Sequence, residues 1–247
     1  MPLKTNSPGI KKAELLGSLS YALDLTEGQP PGHAMRCCWI GMHIGRALAL
    51  TGPELSDLYY TLLLKDIGCS SNAARICQLF LTNDIEFKRG VKVVDESLPQ
   101  VLRFVLSHTG IEAGLAERFR ALVSTFAASG TIARELVETR CQRGADIARR
   151  MRFSDRVATG ILDLDEHWNG KGQPMRLAGR EISLNARVAL IAQVVDVFHT
   201  SYDAERAVHE VHRRAGTWFD PTLVKMFAEI ARVTVSTHGV RSVAEGG

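Results

Sequence analysis

The chain has 247 residues, of which 45% are hydrophobic and 23% charged, and its net charge is +3. This composition is typical of a soluble globular protein, and the length allows one large helical domain or two small ones. The mild positive charge, carried by scattered Lys and Arg, argues against nucleic-acid binding. No apolar run reaches the roughly 18 residues of a membrane span, and residues 1–12 lack the apolar core of a signal peptide. We therefore expect a cytoplasmic protein that binds neither nucleic acid nor membrane.

Apolar residues recur with helical spacing along most of the chain. The predicted helices, in chain order, cover residues 11–25, 33–50, 54–66, 71–82, 98–107, 112–127, 131–151, 154–164, 184–200, 203–214 and 220–235. Glycine- and proline-rich breaks separate them, and only residues 91–94 alternate as a strand would. The pattern predicts an all-α domain over 29–235, an N-terminal helix or sub-bundle over 1–28, and a flexible tail over 236–247.

The five cysteines show neither a CxxC pair nor a zinc spacing; they are Cys37, Cys38, Cys69, Cys77 and Cys141. An odd number without such a spacing predicts free thiols in a reducing compartment.

Several helices place polar side chains on the apolar stripe that should face the core. These residues are His33, Lys65, Asp66, Arg140, Asp165, Gln193, Asp196 and His199. A buried charge costs several kcal/mol unless it is paired, so we expect these groups to meet in one internal cluster. On the opposite faces, Arg36, His43 and Arg46 are expected to be solvated. We also expect surface positions for His108, His209 and His212, and core positions for Trp39, Trp218 and Phe219.

The stretch LDEHWNGKGQP, residues 164–174, puts acids, a histidine, two glycines and a proline between two apolar runs. Together with GHAMRCCWIG, LLLKDIGCSS, LAGREISLNARVALIAQVVDVF and GTWFDPTLV, it resembles the ordered motifs of the HD-GYP type of HD-domain phosphohydrolase. The resemblance covers residues 29–228 and implies an all-α, HD-domain-like helical bundle with a long GYP-like loop. In that family, two or three iron or manganese ions help a hydroxide to attack cyclic di-GMP.

The same resemblance implies that most metal ligands are missing. His33 matches a family ligand, but the His-Asp pair is Lys65-Asp66, and Arg140 stands at the next histidine position. The paired loop histidines fall on Leu164 and Asp165, and the final aspartate falls on Gln193 rather than on Asp196. The loop keeps Glu166, His167, Gly170, Gly172 and Pro174.

We therefore predict a degenerate site without metal. If a metal is bound, His33, Asp66 and Asp165 are its candidate ligands. A salt-bridge cluster would replace it, because Lys65 and Arg140 bring two positive charges to positions beside Asp66 and Asp165.

The leading hypothesis is a non-catalytic module, a pseudoenzyme that is regulatory or binds a partner in bacterial cyclic di-GMP signalling. Its partner would be another protein, a tandem HD-GYP domain or a second copy in a homodimer. The second hypothesis is an active metal-dependent cyclic di-GMP phosphodiesterase with an unusual iron or manganese site. The third is a sensor that binds the cyclic dinucleotide without cleaving it. Lys171 and Arg187 are the candidate phosphate contacts.

Overall fold

The computed structural model describes residues 12–27, 29–69, 134–135 and 137–244. Within these ranges the chain is helical and has no strand, which confirms the all-α prediction. The helices are α1 (Lys12–Thr26), α2 (His33–Ala47), α3 (Gly52–Leu64), α4 (137–150), α5 (Asp155–Leu162), α6 (Leu184–Ser201), α7 (Ala204–Arg213) and α8 (Pro221–Ala244). None of the described helices is long and apolar enough to cross a bilayer.

The observed helices agree with the predicted ones to within a few residues, except at the last. Helix α8 continues to Ala244, whereas the sequence predicted an end at residue 235 and a flexible tail after it. The segment after residue 235 contains Gly239 but no proline. A glycine costs a helix far less than a proline does, so an established helix can continue through this segment. The predicted helices 71–82, 98–107 and 112–127, the strand-like residues 91–94, Cys77 and His108 lie outside the described residues.

Helix α6 is the central element of the described core. Twelve of its residues are buried, among them Val188, Ile191 and Val197. Helices α2, α3, α5 and α7 all pack against it. A helix that is apolar almost all round requires such a covering, because each face must be shielded from water. The bundle therefore places any polar side chain of α6 inside the protein.

Glycines bring α2 and α3 close together. A Cβ atom at Gly41 would lie 2.5 Å from Leu62 Cδ1, and one at Gly45 would lie 2.7 Å from Leu58 Cδ2. Real Cβ atoms essentially never come this close, so a larger residue at either position would require the leucine side chain to shift. The close contact fixes the start of α2, which carries His33, relative to the end of α3, which leads into Lys65.

Side-chain caps define the starts of several helices. Ser154, Ser183 and Asp203 each accept a hydrogen bond from the backbone N–H three residues later, at the starts of α5, α6 and α7. Thr51 and Glu54 form a capping box at the start of α3. These residue types satisfy backbone donors that a helix leaves without partners, which explains why the sequence located these starts well.

Candidate functional site

His33, the first residue of α2, lies at the centre of a buried polar cluster. Its Nδ1 atom lies 2.6 Å from Asp196 Oδ2 of helix α6, and neither residue is more than 2% exposed. Arg36, one turn further along α2, donates from Nε to Asp196 Oδ1 at 2.6 Å and from Nη2 to Oδ2 at 3.1 Å. Burial alone would raise the pKa of Asp196, but His33 and Arg36 hold it below its usual value. Asp196 is therefore an anion.

Lys65 approaches the opposite side of the His33 ring. Its Nζ atom lies 3.0 Å from His33 Nε2 and also donates to Asp66 Oδ2. Only 2% of Lys65 is exposed. Burial alone would lower the pKa of Lys65, but Asp66 raises it above the usual lysine value, so the ammonium stays charged.

A second ion pair joins Arg140 of α4 to Asp165 at the start of the loop. About a fifth of each side chain is exposed, and the Cys141 thiol also donates to Asp165 Oδ2 at 3.3 Å. Burial alone would raise the pKa of Asp165, but Arg140 lowers it overall. Lys65 and Arg140 thus form salt bridges with the two carboxylates of the predicted cluster, and the structure pairs Lys65 with Asp66 and Arg140 with Asp165.

Several sequence predictions of orientation were wrong. Arg36 is bound to Asp196 rather than free in solvent, and His199 is exposed rather than turned inward. Trp39 is 58% exposed, so it is not a core residue. Gln193 is buried on α6, but Asp196, one turn later, is the residue that meets His33. Asp196 was expected in the internal cluster, but the family resemblance gave the ligand position to Gln193. Along a helix that is apolar on nearly every side, periodicity gives no reference for its rotation and could not correct that choice.

Most other predictions of burial are confirmed, although Trp218, expected in the core, is only half-buried. His43, His209 and His212 have exposed or half-buried positions, and Phe219 is 1% exposed. The four cysteines within the described ranges, Cys37, Cys38, Cys69 and Cys141, are free thiols. Burial raises the pKa of the Cys38 thiol to about 12, which keeps it protonated.

The loop that follows α5 is held by Glu166 and His167. The Glu166 carboxylate accepts hydrogen bonds from Met175 N at 2.6 Å and Leu177 N at 3.0 Å, which closes the loop on itself. The His167 ring stacks on Trp218 with the ring centroids 4.3 Å apart. Both side chains therefore have a structural task that does not require a metal ion.

The glycines of the loop are required by its shape. A Cβ atom at Gly172 would lie 2.1 Å from His167 N, and Gly170 has a φ of 76°, in the left-handed region that favours glycine. Pro174 is buried and follows a cis peptide bond. The predicted loop is thus a compact, glycine-dependent structure.

The two candidate phosphate contacts differ in their surroundings. Lys171 is exposed at the tip of the loop. Arg187 of α6 is half-buried, donates from Nη1 to Asp220 Oδ2 at 2.8 Å, and lies 5.8 Å from the Trp168 ring centroid. Of the two, Lys171 can therefore contact a phosphate directly, whereas Arg187 would first have to break its ion pair with Asp220.

Among the residues that the structure describes, two groups of buried side chains could supply ligands to a metal ion. One consists of His33, Cys37 and Asp196; the other consists of Glu27, Asp66 and Cys69. Within each group the ligand atoms lie within 4.8 Å of one another. Imidazole, thiolate and carboxylate are suitable ligands for transition metals. The prediction that no cofactor is bound therefore loses its main support, the lack of ligands.

The arrangement of charges around these ligands does not fit a metal ion as it stands. Lys65 already donates to His33 and Asp66, and Arg36 already donates to both oxygens of Asp196. A divalent ion bound by the same atoms would lie beside an ammonium and a guanidinium, and like charges at such distances repel strongly in a buried site. One of the two cations would have to withdraw first.

Known proteins resemble this chain over most of its length. Residues 102–223 match the sequence model of the HD domain family. The 3'3'-cGAMP-specific phosphodiesterase 3 of Vibrio cholerae is 53% identical over 218 residues, which are 88% of this chain and 47% of that protein. A crystal structure of a cyclic GMP-AMP-specific phosphodiesterase of V. cholerae matches with a TM-score of 0.66 and 46% identity, over 89% of this chain and 48% of that chain. The chain spans about half the length of both relatives.

These similarities contradict the leading hypothesis. A protein 53% identical to this chain is named as a phosphodiesterase, so the prediction of a non-catalytic module, or pseudoenzyme, was wrong. It rested on counting replaced ligand positions, and Asp196 had been left out of that count. The similarities favour the second hypothesis, that of a phosphodiesterase with an unusual site.

Proposed function

We propose that this chain is a cyclic-dinucleotide phosphodiesterase that acts on 3'3'-cGAMP, a function in keeping with the match of residues 102–223 to the sequence model of the HD domain family. The observation that carries the proposal is the 53% identity to the V. cholerae enzyme over 88% of this chain. The second hypothesis named cyclic di-GMP as the substrate. We now propose 3'3'-cGAMP, which differs from cyclic di-GMP by one purine base. The reaction breaks one P–O bond of the ring, and the hydroxyl of a water molecule takes its place on phosphorus.

The loop supports this proposal through its exposed charge. Lys171 extends from a segment whose shape is set by Gly170 and Gly172, and it can approach a phosphate without breaking an ion pair. We assign it to a substrate phosphate. Arg187 is assigned a supporting position behind Trp168, because its guanidinium is bound to Asp220.

An iron or manganese ion belongs to the proposal as a requirement to be tested. Such an ion would supply a hydroxide nucleophile at neutral pH. The buried ligand groups around His33 and Asp66 support its presence in this fold, whereas Lys65 and Arg36 oppose its binding in the arrangement described. We therefore assign no step of the reaction to the metal.

The test is hydrolysis of 3'3'-cGAMP by the purified chain, followed by separation of the linear product. The assay is run without added metal, with Mn²⁺ and with Fe²⁺, and cyclic di-GMP serves as the competing substrate. We expect a linear dinucleotide and a higher kcat/KM for 3'3'-cGAMP. Lys171→Ala should raise KM several-fold with little change in kcat, because a surface contact to the ground-state phosphate mainly contributes binding.

The matched control is Lys225→Ala, which removes an exposed lysine of α8 and should leave both constants unchanged. If the folded chain forms no product under any of the three metal conditions, the proposal is wrong. Binding of 3'3'-cGAMP without product would also contradict it and would match the sensor hypothesis.

A further inference from the structure

The Lys65 ammonium lies between an imidazole nitrogen and a carboxylate oxygen, both of which are common metal ligands. His33 Nε2 is 3.0 Å from Nζ, and Asp66 Oδ2 accepts a second hydrogen bond from it. Lys65 follows directly on α3, and its side chain is directed into the core, where 2% of the residue is exposed. A lysine in this position is costly to bury, so its charge must be compensated by the groups around it.

The protonation state of His33 follows from its two neighbours. A lysine ammonium has three donors and no acceptor, so His33 Nε2 must accept with its lone pair. The proton is therefore on Nδ1, which donates to the ionised Asp196 at 2.6 Å. Metal-binding histidines have this same arrangement, with one nitrogen facing the cation and the other donating to a carboxylate. His33 is thus oriented as a cation ligand, and Lys65 is the cation.

The surrounding carboxylates give the position a negative field. Asp66 contacts Lys65 directly, and Glu27 has a carboxylate oxygen within 4.8 Å of the Asp66 ligand atom. Glu27 and Asp66 are 1% and 3% exposed. Buried carboxylates of this kind are stabilised by a nearby cation, whether it is an ammonium or a metal ion. Without the Lys65 charge, the same atoms would attract a different cation.

We infer that Lys65 is a built-in cation that occupies a divalent-metal position between His33 and Asp66, and that removing its ammonium group allows a transition-metal ion to bind there. The chain itself would then hold no metal at this position. The inference does not rest on the proposed function, because it concerns which cation lies between two side chains.

The experiment measures metal content and thermal stability rather than hydrolysis. The wild-type chain, Lys65→Ala, the double variant Lys65→Ala/His33→Ala and the control Lys225→Ala are each incubated with Mn²⁺, desalted and analysed for bound metal. We expect Lys65→Ala to retain about one ion per chain and to melt several degrees higher with Mn²⁺ than with chelator, because a ligand that binds only the folded state stabilises it. The double variant should lose both effects.

The wild-type chain and Lys225→Ala should each retain about one ion per chain fewer than Lys65→Ala, and Mn²⁺ should not raise their melting temperature through binding at this position. If the wild-type chain retains one Mn²⁺ that His33→Ala removes, Lys65 does not occupy the position and the inference is wrong. A folded Lys65→Ala that binds no metal would also overturn it. Should Lys65→Ala fail to fold, Lys65→Gln, which keeps most of the side-chain length but not the charge, is subject to the same two criteria.

Discussion

His167 shows how burial fixes the state of a single residue. The His167 side chain, which belongs to the loop and stacks on Trp218, is 9% exposed, and this burial lowers its pKa to about 4. The folded chain therefore binds fewer protons than the unfolded chain between about pH 4 and the unperturbed histidine pKa of about 6.5. The stability that depends on neutral His167 is fully present above that window and is lost as the pH falls through it, by roughly 3 kcal/mol in total.

We expect His167→Phe to remove this part of the acid sensitivity, since Phe retains the ring stacking on Trp218 but cannot take up a proton. The measurement is the free energy of unfolding in urea at about pH 7 and about pH 5. The wild-type chain should lose more stability between the two values than His167→Phe does. His212→Phe, at an exposed histidine, is the control and should follow the wild type. Parallel losses in all three chains would show that His167 does not cause the effect.

At the scale of residues, the sequence could predict which groups are buried better than which groups meet. Salt bridges of Lys65 and Arg140 with the carboxylates of Asp66 and Asp165 were predicted as one cluster, because opposite charges on inward faces leave few other solutions, but which cation meets which carboxylate was not. Asp196 was expected in the internal cluster, but the final ligand position was given to Gln193, one turn away on a helix buried on nearly all sides. Their roles depend on the rotation of α6 against α2, which only the packing decides.

At the scale of helices, the start of α2 depends on a carboxylate from α1. Asp24 accepts hydrogen bonds from Gly32 N at 2.8 Å and from Ala34 N at 3.0 Å. Gly32, the N-cap residue, has a φ of 86° and no side chain to cap with. Asp24 is 2% exposed, so its loss would leave the buried backbone donor of Ala34 and the partly buried donor of Gly32 without this partner. This cap positions His33, which directly follows Gly32.

Asp24→Ala should therefore lower the free energy of unfolding by about 2 kcal/mol, which is the upper part of the range for lost helix caps. Thr51→Ala removes the cap of α3 at an exposed position and should cost about 1 kcal/mol. Urea unfolding of both variants gives the comparison. An Asp24→Ala chain as stable as the wild type would mean that water satisfies the two donors and that the cap does not position His33.

The helices themselves could be predicted from periodicity, since caps and glycine breaks mark most of their ends. The Asp24 cap could not, because Gly32 lies eight positions after Asp24 and the turn between them decides whether they meet. The close contact of α2 with α3 could not be predicted from the sequence either. Gly41 and Gly45 are ordinary members of an apolar stripe in the sequence, and only the packing of Leu62 and Leu58 against them shows that a larger residue would displace these leucines.

At the scale of the whole molecule, large apolar side chains are exposed on α1 and α2. They are Leu15, Tyr21, Leu25, Met35 and Trp39, each at least 49% exposed. The chain spans about half the length of the relatives it matches. A protein partner, a tandem HD-GYP domain and a homodimer all stay predictions, and so do the division into domains and the cytoplasmic location.

The Arg140–Asp165 ion pair connects helix α4 to the start of the loop. On its other side, α4 is in close contact with a glycine. A Cβ atom at Gly68 would lie 2.0 Å from Arg140 O, so the turn after Lys65 touches the backbone of α4 directly. Arg140 then extends to Asp165, where the loop begins. Charge, in addition to apolar packing, thus holds α4 between the Lys65 turn and the loop.

A double-mutant cycle measures how much this ion pair contributes. Arg140→Met and Asp165→Asn should each lower the free energy of unfolding by about 2 kcal/mol, because each leaves a largely buried charge without its partner. The double variant should lose less than the sum, with a coupling of about 1 kcal/mol or more. Arg149→Met, which removes a surface pair with Asp146, is the control and should cost less than about 0.5 kcal/mol. Additive losses at Arg140 and Asp165 would mean that packing alone holds α4 against the loop, and the charges would then need another explanation.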